Sequence, residues 1–248
     1  MRAFLWALAL ASLSVAGSVQ AAEIKVVAPG FIYNSALKEL AADFTRQTGV
    51  QVMVGEVGMN VALQRIKDDP PDVVGLPSDL MNTLMLDGGI VKESYTPLGR
   101  DELGLAVRKG APHPDISTVA KLATVLKAGG KIMINSPTGG TMQGQIIGTI
   151  LARPEFAGVE AVPVTKGEGA AALARGEGDM AIQLVPEIYN KPQIELVAPL
   201  PAELGGHMDG ILAVTSRAAN RKDALAFIKF VTGAEARKAW VAKGMKPF

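Results

Sequence analysis

The chain has 248 residues and is close to neutral, with 25 Lys and Arg residues against 24 Asp and Glu residues. No basic tract stands out, so we expect neither nucleic acid nor an anionic membrane surface as a partner. Cysteine is absent and only two histidines are present, which excludes disulfides and thiol chemistry and makes us expect no metal site.

Residues 1–21 have the pattern of a secretory signal peptide. Arg2 precedes an apolar stretch from Ala3 to Gly17, and Val19-Gln20-Ala21 is a small-x-small cleavage pattern. The apolar stretch is shorter than the ~20 residues of a membrane-spanning helix. We therefore expect cleavage after Ala21 and a mature protein in the periplasm; an uncleaved anchor is the alternative.

The next segment predicts a strand, a polar turn and a helix. Ile24 begins an apolar run, and Pro29-Gly30 opens a turn that ends in Asn34 and Ser35, both good helix caps. The helix that follows has an apolar stripe with helical spacing, made of Leu37, Leu40, Ala41 and Phe44. A helix that begins just after a strand directs free N–H groups toward the space above the sheet, which suits an anion.

This strand–turn–helix unit recurs along the chain. Further strands are predicted at 51–57, 72–76, 102–108, 131–135, 162–164, 179–185, 195–197 and 211–215, most of them followed by helical patterns. Loops near 95–102 and 198–206 interrupt the series. We therefore predict an α/β protein with two lobes, a discontinuous lobe I of residues 22–100 plus 203–248 and a lobe II of residues 101–202.

The segment from Ser136 to Gln143 is a glycine-rich turn. Gly139 and Gly140 permit close approach of a ligand to the backbone, and the hydroxyls of Ser136, Thr138 and Thr141 add donors for an anion. The alternative is a tight turn that needs glycine. Neither a Walker A motif nor a dinucleotide-binding fingerprint is present, so we expect no cofactor. Glu168, in Gly167-Glu168-Gly169, is a weaker candidate, whose alternative is an acid that favours a helix start.

Segments in the same order along nearly the whole mature chain resemble periplasmic molybdate-binding proteins of ABC transporters. They read NSALKELAADFTRQTGVQV, PPDVVGLPSDLMNTLMLDGGIV, LGLAVRKGAP, KIMINSPTGGTMQG, ARGEGDMAIQLVPEI and AFIKFVTGAEARKAWVAKGM. The resemblance implies the class II periplasmic-binding-protein fold, with two α/β lobes, a ligand cleft and a hinge. It also implies a monomer that delivers a small anion to an ABC permease.

The same resemblance implies serine hydroxyls as ligands in the first and second turns. Ile32 stands at the first of these positions, and the second turn, Gly58-Met59-Asn60, has no serine. Phe31, Tyr33 and Met59 stand there instead, which predicts a larger, partly organic anion. The ligand-binding candidates are Phe31, Tyr33, Asn34, Ser35, Met59, Asn60, Arg100, Ser136, Thr138, Gly139, Gly140, Thr141 and Glu168. For Asn34, Ser35 and Asn60 the alternative is helix capping, and for Arg100 a solvated loop arginine.

One branch of the resembling family implies a second function. LAVRKGAPHPDISTVAKL and PLPAELG are similar to periplasmic aconitate isomerases, which interconvert cis- and trans-aconitate without a cofactor. An allylic proton shift needs a base and an acid, and Tyr33, Glu187, His207 and Asp209 are the candidates; hinge residues are the alternative for the last two. The prediction is a periplasmic solute-binding protein for an organic carboxylate or a molybdate-like oxyanion, with a cofactor-independent isomerase as the alternative.

Overall fold

The structure is a computed structural model that describes residues 22–164 and 167–248, so the predicted signal peptide lies outside the described residues. Strands and helices alternate along the chain. The strands are β1 (Glu23–Ala28), β2 (Gln51–Glu56), β3 (Val73–Pro77), β4 (Thr96–Arg108), β5 (Ile132–Asn135), β6 (Ala161–Val164), β7 (Met180–Leu184), β8 (Ile194–Pro199) and β9 (His207–Val214). Within the described residues, no helix has the length and apolar content needed to cross a membrane.

The helices connect these strands and cover the sheet. They are α1 (Gly30–Ile32), α2 (Lys38–Thr48), α3 (Met59–Asp68), α4 (Ser78–Leu86), α5 (Val119–Ala128), α6 (Met142–Leu151), α7 (Gly169–Ala174), α8 (Val185–Tyr189), α9 (Arg221–Val231) and α10 (Ala234–Ala242). Their apolar stripes face inward. Phe44 of α2, for example, meets Phe227 and Phe230 of α9 edge to face at centroid distances of 5.4 Å.

The strands form a nine-stranded sheet in the order β2-β1-β3-β9-β4-β7-β5-β6, with β8 also paired to β4. The 13-residue strand β4 joins its two halves. Residues Thr96 to Glu102 pair with β9, and residues from Leu103 onward pair with β7 and, one residue later, with β8. Within each half, β1 lies parallel to β2 and β3, and β5 lies parallel to β6 and β7. The predicted lobe limits stay a prediction.

Buried strands form the centre of each half. Every residue of β3, β5 and β7 is buried, as expected for parallel strands that helices cover on both faces. Gln183 is the polar exception within β7 and Asn135 ends β5, and both are buried. Because buried polar groups need hydrogen-bond partners, we expect both side chains to be hydrogen-bonded within the protein.

The predicted first turn is wrong. The first helix begins at Gly30, with Pro29 as its N-cap, and residues Tyr33–Leu37 form a π-helical turn that leads into α2. Asn34 and Ser35 are therefore not caps but lie within this turn, where the backbone is kinked at Ser35 (φ −70°, ψ −115°). The Ser35 hydroxyl donates to the Phe31 carbonyl at 2.6 Å, which satisfies a backbone acceptor that the wider turn would otherwise leave free.

The loop predicted near 95–102 is also wrong, because β4 begins at Thr96. Pro97 and Gly99 suggested a loop, but the register with β9 shifts between them, and a bulge accommodates both residue types. Arg100 pairs with β9 on one side and with Lys246 on the other, where the Arg100 N–H donates to the Lys246 carbonyl at 2.7 Å. Strand β9 begins at His207, directly after the second predicted loop (198–206) and earlier than the strand predicted from residue 211.

Candidate functional site

A cavity of about 580 Å³ lies where helices from both halves of the sheet begin. Its lining contains the N-cap residues of five helices, namely Pro29 of α1, Gly58 of α3, Thr141 of α6, Glu168 of α7 and Leu184 of α8. Helix starts present unpaired N–H groups and the positive end of the helix dipole. The backbone around the cavity therefore favours negative charge on a ligand.

The side chains of the lining are of three kinds. Apolar surface comes from Phe31, Met59, Leu184 and Met208, carboxyl groups from Glu56, Glu168 and Glu187, and amide groups from Asn60, Asn135 and Gln143. Apolar walls with a few convergent polar groups are typical of sites for small organic molecules, whose usual volumes include the one found here.

Seven of the predicted site residues border the cavity: Phe31, Met59, Asn60, Gly140, Thr141, Glu168 and Glu187. Gly140 has a φ of 77°, a conformation that favours glycine. The Thr141 hydroxyl accepts from the Gly144 N–H at 3.1 Å, so its side chain caps α6. Asn60 is the second residue of α3, whose N-cap is Gly58.

Tyr33, Asn34 and Ser35 do not border the cavity. They follow Phe31 in a π-helical turn that is kinked at Ser35, and helical backbone directs successive side chains to different sides. Asn34 nevertheless bonds to a residue of the lining, because its side-chain amide donates to Glu56 Oε1 at 3.2 Å. Its carbonyl accepts from the side chain of Asn190, on the other half of the sheet, at 2.7 Å.

Ser136, Thr138 and Gly139 also lie outside the lining. The hydroxyls of Ser136 and Thr138 are 3.3 Å apart and bond to each other, while the Gly139 N–H donates to the Ser136 carbonyl at 3.1 Å. These contacts match the alternative interpretation of a tight turn. Only the end of the turn, at Gly140 and Thr141, reaches the cavity.

Arg100, His207 and Asp209 are close together but face away from the lining. Arg100 makes a bidentate ion pair with Asp209, at 2.7 and 2.9 Å. Hydrogen bonding from this guanidinium holds the pKa of Asp209 below its ordinary value. Met208 borders the cavity, and because side chains alternate along a strand, its neighbours His207 and Asp209 point to the opposite face.

Glu187 is the predicted residue with the most unusual environment. It lies in the first turn of α8, borders the cavity and is 6% exposed. Burial, followed by the nearby charge of Glu168, raises the pKa of its carboxyl to about 8. Lys191 moderates this effect while bonding to Glu168 at 2.8 Å. At neutral pH the Glu187 carboxyl is therefore mostly protonated and able to donate a hydrogen bond.

Two chains of hydrogen bonds lead from the start of α7 to the cavity. In one, the Gly169 N–H donates to Asn135 Oδ1 at 3.0 Å, and Asn135 Nδ2 donates to Gln143 Oε1 at 3.3 Å. In the other, the Ala170 N–H donates to Gln183 Oε1 at 3.4 Å, and Gln183 Nε2 donates to Glu187 Oε2. Backbone N–H groups can only donate, so they determine the orientation of each amide in turn.

Asp101 is a buried carboxyl that the sequence did not single out. It has no exposed surface, and neither of its carboxyl oxygens has a hydrogen-bond partner among the described residues. Its register partner is Met208, so both side chains lie on the cavity side of the sheet. Burial, with smaller contributions from Glu187 and Asp209, raises the pKa of Asp101 well above its ordinary value.

Glu56, Asn135, Gln143 and Gln183 are further site residues that the sequence analysis missed. Asn135 and Gln183 left a signal, because each is an amide in an otherwise apolar strand. Glu56 and Gln143 left none, since polar residues at the end of a strand or the start of a helix are common. Within the described part of the chain, no group of three or more His, Asp or Glu side chains is arranged to hold a metal ion.

A family model described as bacterial extracellular solute-binding protein matches residues 24–246. An aconitate isomerase from a Pseudomonas species is 24% identical over 249 residues, which cover 98% of this chain and 95% of that protein. This alignment extends over nearly the full length of both proteins.

Two solved structures share the architecture. A substrate-binding domain from Clostridium difficile, ascribed to a molybdenum ABC transporter, has a TM-score of 0.75 at 15% identity and covers 92% of this chain and 100% of its own. The periplasmic molybdate-binding protein of Azotobacter vinelandii has a TM-score of 0.69 at 19% identity and covers 90% of this chain and 98% of its own. The predicted class II periplasmic-binding-protein fold is thereby confirmed, as is the resemblance to molybdate-binding-like proteins.

Proposed function

Because the chain belongs to the bacterial extracellular solute-binding protein family, we propose that it binds a small organic anion with two or more carboxylates in the cavity described above. The observation that carries this proposal is the convergence of helix starts from both halves of the sheet on one cavity. Each carboxylate of the ligand would lie near a different helix start, where the dipole and the N–H groups stabilise negative charge.

The apolar part of the lining supports an organic ligand over a tetrahedral oxyanion. Phe31 and Met59 border the cavity, while Ile32, at the position where the resembling family has a serine, is fully buried in the core. A small oxyanion would find no serine hydroxyl at this wall and would leave apolar surface uncovered. A ligand with a carbon skeleton covers that surface and gains from its burial.

We propose the predicted two-lobe arrangement for ligand capture, with the ligand held between lobe I and lobe II as a monomer closes around it. The hydrogen bond from Asn190 to Asn34 already joins the two sides beside the cavity. The proposal places the mature protein in the periplasm, after removal of residues 1–21, and gives it an ABC permease as partner. In this proposal the ion pair of Arg100 and Asp209 joins β4 to β9 and does not contact the ligand.

A second function, isomerisation of the bound anion, is favoured by Glu187. Its carboxyl borders the cavity and has a pKa of about 8, close to the pH at which an acid or base acts best. In an aconitate-type reaction a base removes a proton from the methylene carbon, and the double bond moves by one carbon. A proton then returns to the former vinylic carbon, so no atom is gained or lost.

One experiment separates the two functions. The purified mature protein is incubated with cis- and trans-aconitate and followed by proton NMR, beside a thermal-shift panel of molybdate, tungstate, sulfate, citrate and tricarballylate. Binding alone predicts stabilisation by tricarboxylates without interconversion, whereas isomerisation predicts interconversion that Glu187→Gln abolishes and the exposed-site control Glu177→Gln leaves intact. Stabilisation by molybdate and not by tricarboxylates would overturn both.

A further inference from the structure

Gln143 is a buried polar side chain at the cavity whose hydrogen bonds are incomplete. It is the second residue of α6, borders the cavity and is 6% exposed. Its Nε2 atom has no hydrogen-bond partner among the described residues. Because buried amide donors are nearly always paired in folded proteins, this atom calls for an acceptor that the protein itself does not supply.

The orientation of the Gln143 amide follows from its neighbours. The Gly169 N–H donates to Asn135 Oδ1 at 3.0 Å, so the Asn135 amide turns its NH₂ group toward Gln143. That group needs an acceptor and finds Gln143 Oε1 at 3.3 Å. Gln143 is then left with its own NH₂ group as the unpaired end of a side chain that borders the cavity.

We propose that Gln143 Nε2 donates a hydrogen bond to a carboxylate oxygen of the bound ligand, and that Asn135 is the positioning residue that orients it. The inference rests on the proposed function and deepens it by assigning one carboxylate of the ligand to the wall formed by α6. Thr141, the N-cap of this ten-residue helix, and Gly140 border the cavity beside Gln143, so the same carboxylate lies at the helix start.

The competing role for Gln143 is support of Glu187. Hydrogen bonding from Gln143 is the smallest of the causes that lower the pKa of the Glu187 carboxyl, yet Nε2 has no partner that meets the distance and angle of a hydrogen bond. Glu187 already accepts from Gln183, so it does not depend on Gln143 for a donor. A ligand carboxylate provides the acceptor that this arrangement leaves out.

The test is a double-mutant cycle measured by isothermal titration with trans-aconitate and tricarballylate as probes. Gln143→Leu should weaken binding about 10- to 100-fold, as expected for a hydrogen bond to a charged group. Asn135→Asp keeps the acceptor for Gly169 but removes the donor to Gln143, and it should also weaken binding. Because Asn135 acts through Gln143, the double variant should bind no more weakly than Gln143→Leu alone.

Gln145→Leu is the matched control, since Gln145 is exposed on the same helix, and it should bind as the wild type does. Gln143→Met, which keeps the length of the side chain, replaces the leucine variant if that one fails to fold. Wild-type affinity in Gln143→Met, or additive losses in the cycle, would overturn the inference while leaving the proposed function intact. A wild-type protein that binds neither probe, nor any other tricarboxylate, would overturn both.

Discussion

Asp101 has a carboxyl group that the fold encloses without a donor among the described residues. Its pKa is raised well above the ordinary 3.8, so the folded protein keeps the proton while the unfolded chain releases it above that pH. The wild type therefore loses stability as the pH rises from the unfolded pKa toward the folded pKa, by up to about 1.4 kcal/mol per pH unit.

We expect Asp101→Asn to remove this loss, since an amide does not titrate. The free energy of unfolding of the variant should exceed that of the wild type by a margin that grows as the pH rises above the ordinary pKa of 3.8. Urea unfolding at each pH measures it, with Asp87→Asn, at an exposed position, as the control. Parallel stability curves for the variant and the wild type would contradict the prediction.

Glu187 makes ligand binding depend on pH in the alkaline range, whereas an ordinary carboxyl titrates in the acidic range. Below its pKa of about 8 the group is neutral, and above that pH it adds a negative charge to the site. We expect the affinity for trans-aconitate to fall above pH 8, by up to about tenfold per pH unit.

Glu187→Gln tests this assignment because it keeps the shape of the side chain and removes the titration. Glu56 and Glu168 on the lining, Lys191 beside Glu168, and Asp101 opposite Met208 on the neighbouring strand remain in the variant. The fall in affinity above pH 8 should therefore disappear in titration calorimetry. If the variant keeps it, another of these groups is responsible.

At the scale of single residues the sequence predicted types of chemistry better than positions. It identified Phe31, Met59 and Glu187, which border the cavity. It did not identify Gln143 or Asp101, because their significance comes from contacts between separate elements: Gln143 of α6 bonds to Asn135 at the end of β5, and Asp101 of β4 lies opposite Met208 of β9. Contacts between separate elements leave no trace in local spacing.

Helix α7 is the element that orients the polar groups of the site, and its first residue leaves no room for a side chain. A Cβ atom at Gly169 would lie 2.6 Å from the Met133 carbonyl oxygen. We expect Gly169→Ala to destabilise the fold by about 1–3 kcal/mol, as overpacking does, and to weaken ligand binding by shifting both hydrogen-bond chains.

Gly58→Ala is the matched control, because Gly58 also lies at a helix start but has open space around the added atom. It should change stability by less than about 0.5 kcal/mol. Thermal unfolding and titration calorimetry on both variants measure these effects. Equal stability of the two variants would contradict the close packing of α7 against β5.

At the scale of elements, the sequence predicted the strands that apolar runs mark and missed the first residues of β4 and β9. Strands β1, β2, β3, β5 and β7 lie within one or two residues of their predicted positions. The start of β4 was predicted as a loop because Pro97 and Gly99 are read locally as turn signals. Pairing with β9 and a bulge override that local preference, as tertiary contacts do elsewhere.

At the scale of the whole molecule, the residues that line the cavity come from both halves of the sheet. If both halves hold the ligand, binding should slow hydrogen exchange in two separate regions at once, the start of α3 and the starts of α6 and α7. At a ligand concentration 100 times Kd the slowing should reach about 100-fold. Mass spectrometry of peptides with and without tricarballylate measures it, and protection of only one half would contradict the proposed capture.

The overall architecture could be predicted from the sequence, because repeated strand–helix units and family resemblance both point to it, and the solved structures confirm it. The lobe limits and the ligand stay predictions. Fold alone does not determine ligand chemistry in such proteins.

The position of β9 between β3 and β4 also has a consequence for the order of folding. Strands β1, β2 and β3 all lie within residues 23–77, yet their sheet gains its next strand only from residues 207–214. During synthesis, β3 therefore presents an unpaired edge until residues 207–214 have been made. Pairing between such distant segments is slow. Met208, on that later strand, is part of the cavity wall, so the binding site is complete only after β9 has joined the sheet.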